Sequence, residues 1–247
     1  MRPNETAPPL ALPGLFVAGT DTGVGKTTIG VGLARLARRR GRQPVPYKPV
    51  ETGCAPTPED ALRLWRAAEP PTTLAETCPF PLPLPAAPAA AAAAVGMQLD
   101  LADLAQRGRE LSRRGNFLLV EGAGGLLAPY VGAETNADLA ARLGLPILLV
   151  GRTALGTINH VALTLAELRR RQLPVLGLVL VRTQDSPAPH EATNGPLIEA
   201  LTGLGPLATV PYLSARELQD ADAIADTLAR AVPPAALARL LGESSPA

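Results

Sequence analysis

The segment Gly19-Thr-Asp-Thr-Gly-Val-Gly-Lys-Thr27 sets a lysine and a hydroxyl at the end of a glycine-rich turn. It lies between a short apolar run and an amphipathic stretch, the context phosphate binding requires: a strand, a loop of backbone donors, then Lys-Thr opening a helix. Backbone N–H groups of Gly23, Val24, Gly25, Lys26, Thr27 and Thr28 are expected to point at phosphate oxygens, helped by the positive helix end. Lys26 would reach the terminal phosphates and the Thr27 hydroxyl would bind Mg²⁺. The loop departs from the common spacing: five residues separate Gly19 from Gly25, and Thr20 stands where a glycine is usual. Of the 23 lysines and arginines, only Lys26 and Lys48 are lysines. An ammonium is a compact point charge and a guanidinium a wide planar fork, so a pocket shaped for one rejects the other.

Mg²⁺ on a nucleotide takes one or two carboxylates beside phosphate and water oxygens. Glu121 ends the apolar run Phe117-Leu-Leu-Val-Glu121, where an acid is costly unless paired or on a metal. It leads into Gly122-Ala123-Gly124-Gly125, where small residues let a ligand approach the backbone. Asp60 is the second metal candidate, although an acid early in a helix also serves the dipole, and Glu59 stands beside it.

Positioning these groups calls for strands and helices in alternation. Strands are expected at Leu15–Gly19, Pro44–Lys48, Phe117–Glu121, Pro146–Val150, Val175–Val181 and Ala208–Val210. Their unbroken apolarity suits parallel strands buried on both faces. Helices are expected at Lys26–Arg40, Pro58–Ala68, Leu101–Arg114, Asn136–Leu143, Ile158–Arg171 and Glu191–Leu201. The predicted fold is α/β, a doubly wound and mainly parallel sheet of the P-loop NTPase type, with ligands beyond the carboxyl ends of the strands. Gly19, Lys48, Glu121 and Gly151 lie at those ends, so the motifs should converge on one edge. Residues 1–13 read as a loose tail and 14–247 as a single domain. The Pro- and Ala-rich stretch from Pro79 to Gly96 contains a good helix former in Ala89–Ala94, and an ordered cover over the pocket is expected there.

A net charge of +1 with both signs dispersed argues against a nucleic-acid or polybasic membrane surface. Leu82 to Val95 is short, proline-interrupted and mostly alanine, so it is not a membrane span. The first residues hold one Arg and no adequate apolar run, which does not suit a signal peptide. Cys54 and Cys78 lack metal-ligand spacing, and a cytoplasmic location fits them best.

The glycine-rich loop, Tyr47-Lys-Pro-Val-Glu-Thr-Gly53, Val120-Glu-Gly-Ala-Gly-Gly125 and Leu155-Gly-Thr-Ile-Asn-His160, in this order and spacing, resemble the dethiobiotin synthetases. The likeness runs from about Leu15 to Leu213, and the long loop spacing is typical of that family. It implies an ATP-dependent cyclo-ligase of biotin biosynthesis acting on 7,8-diaminononanoate and CO₂ or bicarbonate, through a carbamate and a carbamic-phosphoric anhydride. It further implies that Lys26, Lys48 and Thr22 serve the reacting groups, that Thr52 hydrogen-bonds substrate, and that Thr27, Asp60 and Glu121 hold magnesium. Gly156, Thr157, Ile158 and Asn159 would receive the substrate carboxylate across a homodimer interface. The segment Val175–Val181 resembles one that usually ends in an adenine-reading Asn. Valine stands there instead, so other nucleoside triphosphates are expected to be accepted beside ATP, with Thr183, Gln184 or the segment Pro211, Tyr212 and Leu213 as alternative contacts to the base.

A P-loop switch ATPase working through protein partners is the main rival. Such proteins usually carry a second lysine near the start of the loop, where this chain has Asp21. An amidating ligase of corrin metabolism shares the loop type but needs a glutamine-hydrolysing domain for which the chain has no room.

Overall fold

The computed structural model describes residues 14–54 and 56–243, so the expected tail at 1–13 lies outside the described residues. In chain order the elements are β1 (Gly14–Gly19), α1 (Lys26–Arg39), β2 (Pro44–Tyr47), β3 (Val50–Thr52), α2 (Glu59–Ala68), α3 (Leu74–Thr77), β4 (Phe80–Leu82), α4 (Pro88–Ala94) and α5 (Leu101–Ser112). There follow β5 (Phe117–Gly125), β6 (Pro129–Val131), β7 (Glu134–Thr135), α6 (Asn136–Leu143), β8 (Ile147–Arg152), α7 (Thr157–Arg170), β9 (Val175–Val181), α8 (Glu191–Thr202), β10 (Ala208–Val210), α9 (Ala221–Ala231) and α10 (Pro234–Leu240). Six strands form one sheet in the order β10-β9-β8-β1-β5-β2, every pairing parallel. The expected doubly wound sheet is present.

Strand side chains alternate between the two faces, and each face builds its own core. Phe16, Val45, Leu118, Val120 and Leu149 join Leu104, Leu139 and Leu165 from α5, α6 and α7. Leu15, Val17, Leu119, Leu148 and Val150 join Ile29, Leu33 and Leu64 from α1 and α2 on the other side. Both faces are buried, which is why the strands read as continuous apolar runs.

Several expectations are corrected. Strand β5 does not stop at Glu121 but runs on to Gly125, with a register shift that brings Gly125 opposite Gly19. Glycine permits this, since a Cβ on Gly122 would lie 2.6 Å from Asn136 Oδ1 and Gly124 has φ +72°. Strand β2 ends at Tyr47, because the Lys48 N–H leaves the sheet and donates to the Thr77 carbonyl at 2.9 Å. Strand β8 spans Ile147–Arg152 in place of Pro146–Val150, and proline has no N–H to give to a ladder. Helices α1, α2, α5, α7 and α8 differ from expectation by one or two residues at their ends, where a terminal turn frays.

Helices α9 and α10 were not expected from the Ala- and Pro-rich end of the chain. Asp220 caps α9 by accepting from the N–H groups of Asp222 and Ala223 at 2.9 and 3.2 Å. Ile224 and Leu228 then pack on α1 at Gly32, where a Cβ would sit 3.1 Å from Leu228 Cδ2.

Candidate active site

A cavity of about 930 Å³ opens beyond the carboxyl ends of β1, β3 and β5. It is lined by Thr22, Gly23, Gly25, Lys26, Thr27 and Thr28 from the loop and the start of α1, and by Lys48, Thr52, Asp60, Glu121, Ala123 and Gly124. Most of the expected site is thus gathered into one volume. Val24 does not line it, being buried in the core with Val150 and Val179, and neither does Gly122, which packs against Asn136. The stretch from Pro85 to Pro88, leading into α4, lines the cavity, as an ordered cover should.

The loop is shaped by Gly23 and Gly25, at φ +71° and +99°. It aims the N-terminus of α1 into the cavity. The stem of Lys26 crosses Gly19, where a Cβ would come within 2.9 Å of its Nζ, and the ammonium donates to the Asp21 carbonyl at 2.8 Å. Burial pulls the Lys26 pKa down to about 8, helped by Lys48 and opposed by Glu121 and Asp60.

Opposite it lies a polar cluster in which Thr27, Lys48 and Glu121 are buried and Asp60 is partly exposed. Glu121 Oε1 accepts from the Thr27 hydroxyl at 2.8 Å and from Lys48 Nζ at 2.5 Å. Lys48 Nζ also lies 3.4 Å from Asp60 Oδ2. Burial pulls the Lys48 pKa down, but the carboxylates of Glu121 and Asp60 outweigh it and hold the ammonium above the ordinary lysine value. Glu59 is exposed and does not line the cavity, whereas Asp60 does.

The donor chemistry fits a hard cation. Thr27, Glu121 and Asp60 offer a hydroxyl and two carboxylates around Lys48, all oxygen, and Glu121 Oε2 is buried without a hydrogen-bond partner among the described residues. No cluster of three His, Cys, Asp or Glu residues exists among the described residues, so a metal here must draw its remaining ligands from phosphate and water.

Other expected residues lie elsewhere in the chain. Gly156, at φ +92°, and Thr157, Ile158 and Asn159 open α7 outside this cavity, and the buried Thr157 Oγ1 has no partner among the described residues. Pro211, Tyr212 and Leu213 follow β10 and do not line the cavity either, and Leu213 is buried in the core. Val181 packs beneath the loop: a Cβ on Gly25 would lie 2.9 to 3.1 Å from its side chain.

Four residues escaped the sequence reading. Glu51 accepts from the N–H groups of Asp60 and Ala61. Asn136 Nδ2 donates to the carbonyls of Ala123 and Gly125 at 2.6 and 2.8 Å, and the Tyr130 hydroxyl accepts from Ala123 N at 3.2 Å. These two hold the glycine-rich end of β5. Arg63, one turn beyond Asp60, lines the cavity and donates to the Leu218 carbonyl at 2.9 Å. An acid inside Lys-Pro-Val-Glu and a basic residue at i+3 from Asp60 were the available signals for the first and last.

The sequence family described as an AAA domain matches residues 13–218. The ATP-dependent dethiobiotin synthetase BioD of Anaeromyxobacter dehalogenans (strain 2CP-C) is 48% identical over 200 residues, spanning 81% of this chain and 90% of that protein. The chain belongs to the dethiobiotin synthetase family. The BioD synthetase of Bacillus cereus (strain G9842) is 36% identical over 201 residues, spanning 81% of this chain and 83% of its own. Among solved structures, the MinC:MinD cell division protein complex of Aquifex aeolicus superposes with a TM-score of 0.54 at 14% identity, covering 95% of this chain and 98% of that one. The Cyanothece McdA–ATP complex gives 0.53 at 13%, covering 96% and 98%. At that identity the two structures share the fold alone, whereas the synthetases share the sequence across it.

Proposed function

We propose that the chain closes the ureido ring of dethiobiotin from 7,8-diaminononanoate, CO₂ and ATP. Among the site's features, the arrangement that carries this reading is the pair of lysines facing one cavity, one in the phosphate loop and one in the Thr27–Glu121–Lys48 cluster. One amine of the substrate adds CO₂ to give a carbamate. A carbamate oxygen attacks the γ-phosphorus and ADP leaves, which forms a carbamic-phosphoric anhydride. The second amine attacks the carbonyl carbon, closes the ring and expels inorganic phosphate.

The difficulty is to bring two anions together, and the chain answers it with fixed positive charge. Lys26 and the loop N–H groups hold the phosphates, while Lys48 faces the carbamate and the transferring phosphoryl group. Thr22 and Thr52 offer hydroxyls to the reacting groups and substrate. Mg²⁺, held by Thr27, Asp60 and Glu121, would neutralise charge on the phosphate oxygens. Gly156–Asn159 lie outside the single-chain cavity, although Leu163, Thr164 and Glu167 further along α7 line it, and Leu155 beside the start of the helix is 80% exposed. Both observations suit a homodimer in which Gly156–Asn159 of a second copy receives the substrate carboxylate. Residues 14–247 would work as one P-loop unit. No described helix is long and apolar enough to cross a membrane, and the two free buried thiols suit a reducing cytoplasm.

ADP release with each substrate omitted in turn tests the activity. Dependence on both the diamine and bicarbonate is expected; release stimulated only by a protein partner would favour a switch ATPase. Titration of turnover against Mg²⁺ tests the metal ligands: Asp60→Asn should raise the requirement more than Glu59→Gln, and the reverse order would move the ligand by one residue.

Base selectivity follows from Val181. A valine packed under Gly25 makes no hydrogen bond to a base, and discrimination depends on polar groups that the wrong ligand leaves unpaired. CTP, GTP and UTP should therefore support turnover within about tenfold of ATP, one neutral hydrogen bond being worth roughly 1 kcal/mol. Val181→Asn should tilt preference toward ATP. Comparing kcat/KM for the four triphosphates decides the matter, and strong ATP selectivity in the natural chain would show that other groups read adenine.

Nucleotide binding should also be linked to a proton. Lys26 titrates near 8 in the ligand-free chain, and triphosphate favours its charged form. Above that pH, binding must return a proton to Lys26, so affinity falls as pH rises. Calorimetry in two buffers of different ionisation enthalpy should find proton uptake on the alkaline side; no uptake there would mean that Lys26 is already charged.

A further inference from the structure

We propose that Glu51 is a positioning residue that fixes Asp60 beside Lys48 by capping α2 from the neighbouring strand; this rests on the reading of Asp60 as a metal ligand. The other two proposed ligands are tied directly to one another, Thr27 to Glu121 at 2.8 Å, with Lys48 on the same oxygen at 2.5 Å. Among the described residues Asp60 has no such tie: its side chain is 43% exposed and its one ionic neighbour is Lys48 at 3.4 Å. Its place is therefore inherited from its backbone. That backbone opens α2, and the residue at the cap position, Pro58, offers no side-chain acceptor. Glu51 fills the role from β3: Oε1 accepts from Asp60 N at 3.0 Å and Oε2 from Ala61 N at 2.8 Å. An anion there also meets the positive end of the helix dipole. Glu51 is itself buried and lines the cavity, so both its oxygens are committed in a place where an unpaired one would be costly. Strand β3 is held in turn by β4, with Glu51 opposite Pro81, so the cover segment and the position of Asp60 are mechanically joined.

The test is Mn²⁺ binding, read by electron paramagnetic resonance with a non-hydrolysable ATP analogue, in the wild type, Asp60→Asn, Glu51→Gln and the double variant. Glu51→Gln keeps the shape but turns an NH₂ toward one of the two N–H donors. It should weaken Mn²⁺ about tenfold, as loss of a residue that orients a ligand commonly does. Because it acts through Asp60, it should add less than about twofold in the Asp60→Asn background. Faster amide exchange at residues 60 and 61 should accompany the loss. Glu51→Asp, one methylene too short to reach both donors, is the second variant and should behave likewise although it keeps the charge. If Asp60→Asn leaves Mn²⁺ affinity unchanged, the reading of Asp60 as a ligand fails. If Asp60→Asn weakens binding but Glu51→Gln and Glu51→Asp do not, or if the Glu51 and Asp60 effects simply add, the positioning role is overturned while the ligand assignment stands.

Discussion

Lys48→Arg should lower kcat by at least about two orders of magnitude, since an electrostatic contact made in the transition state is worth roughly 3 kcal/mol. The charge is conserved; the geometry is not. Lys48 is almost wholly buried and puts its Nζ 2.5 Å from one oxygen of Glu121 and 3.4 Å from Asp60. A guanidinium is broader and longer-reaching, so it must either displace Glu121 or withdraw its charge from the point where the carbamate meets the phosphate. Lys26→Arg should behave similarly, because a wide planar fork would replace the compact ammonium that donates to the Asp21 carbonyl at 2.8 Å. The two differ in stability. Overfilling the buried slot of Lys48 should cost about 1–3 kcal/mol, whereas Lys26 lines the cavity, which can take up a larger head group and leave folding nearly unchanged. Turnover measured together with urea unfolding separates the effects. Near-normal turnover of Lys48→Arg would remove Lys48 from the chemistry and leave it as a partner that neutralises Glu121.

The parts of this site that were legible in the sequence are those whose chemistry and local geometry coincide. Gly23, Gly25, Lys26 and Thr27 specify their own loop, and an acid ending an apolar strand identified Glu121 without knowledge of its partners. What stayed hidden depends on contacts between distant segments. The capping of α2 by Glu51 requires β3 and β4 to form a small sheet of their own, and nothing in the spacing from residue 51 to residue 60 signals that. Asn136 opens α6 and reads as a helix-start residue, yet its amide is spent on the backbone of β5. The expected strand stops at Glu121 because glycine weakens strands in general, while here its lack of a Cβ is what lets β5 continue beside the phosphate loop. In α9 the signal existed, an Asp cap followed by apolar residues four apart, but the alanine- and proline-rich surroundings masked it.

Glu121→Gln should abolish most turnover and also reverse the sign of one pH dependence. Loss of its charge removes a proposed metal ligand and the nearest counter-ion of Lys48, so a fall in kcat/KM of about a hundredfold or more is expected, with a raised Mg²⁺ requirement. The folded state must then carry a buried ammonium whose remaining partner is Asp60 at 3.4 Å. Breaking one side of a buried pair in this way costs about 3–5 kcal/mol. In the natural chain the Lys48 pKa is raised above the ordinary 10.5, so the stability it contributes is present below that value and lost as pH rises past it. In the Gln variant the order inverts. Burial, the largest influence on Lys48, is left opposed mainly by Asp60, and the folded-state pKa drops. The unfolded chain then binds the proton more tightly than the folded one, and stability rises with pH until the ordinary lysine value is reached. Lys26 shifts the same way, since Glu121 is also the main group opposing its discharge. Urea unfolding of both proteins at several alkaline pH values should therefore show the deficit of the variant shrinking as pH increases. A deficit that stays constant would mean that Lys48 does not depend on Glu121 for its charge, and the ion pair at the centre of the proposed mechanism would have to be abandoned.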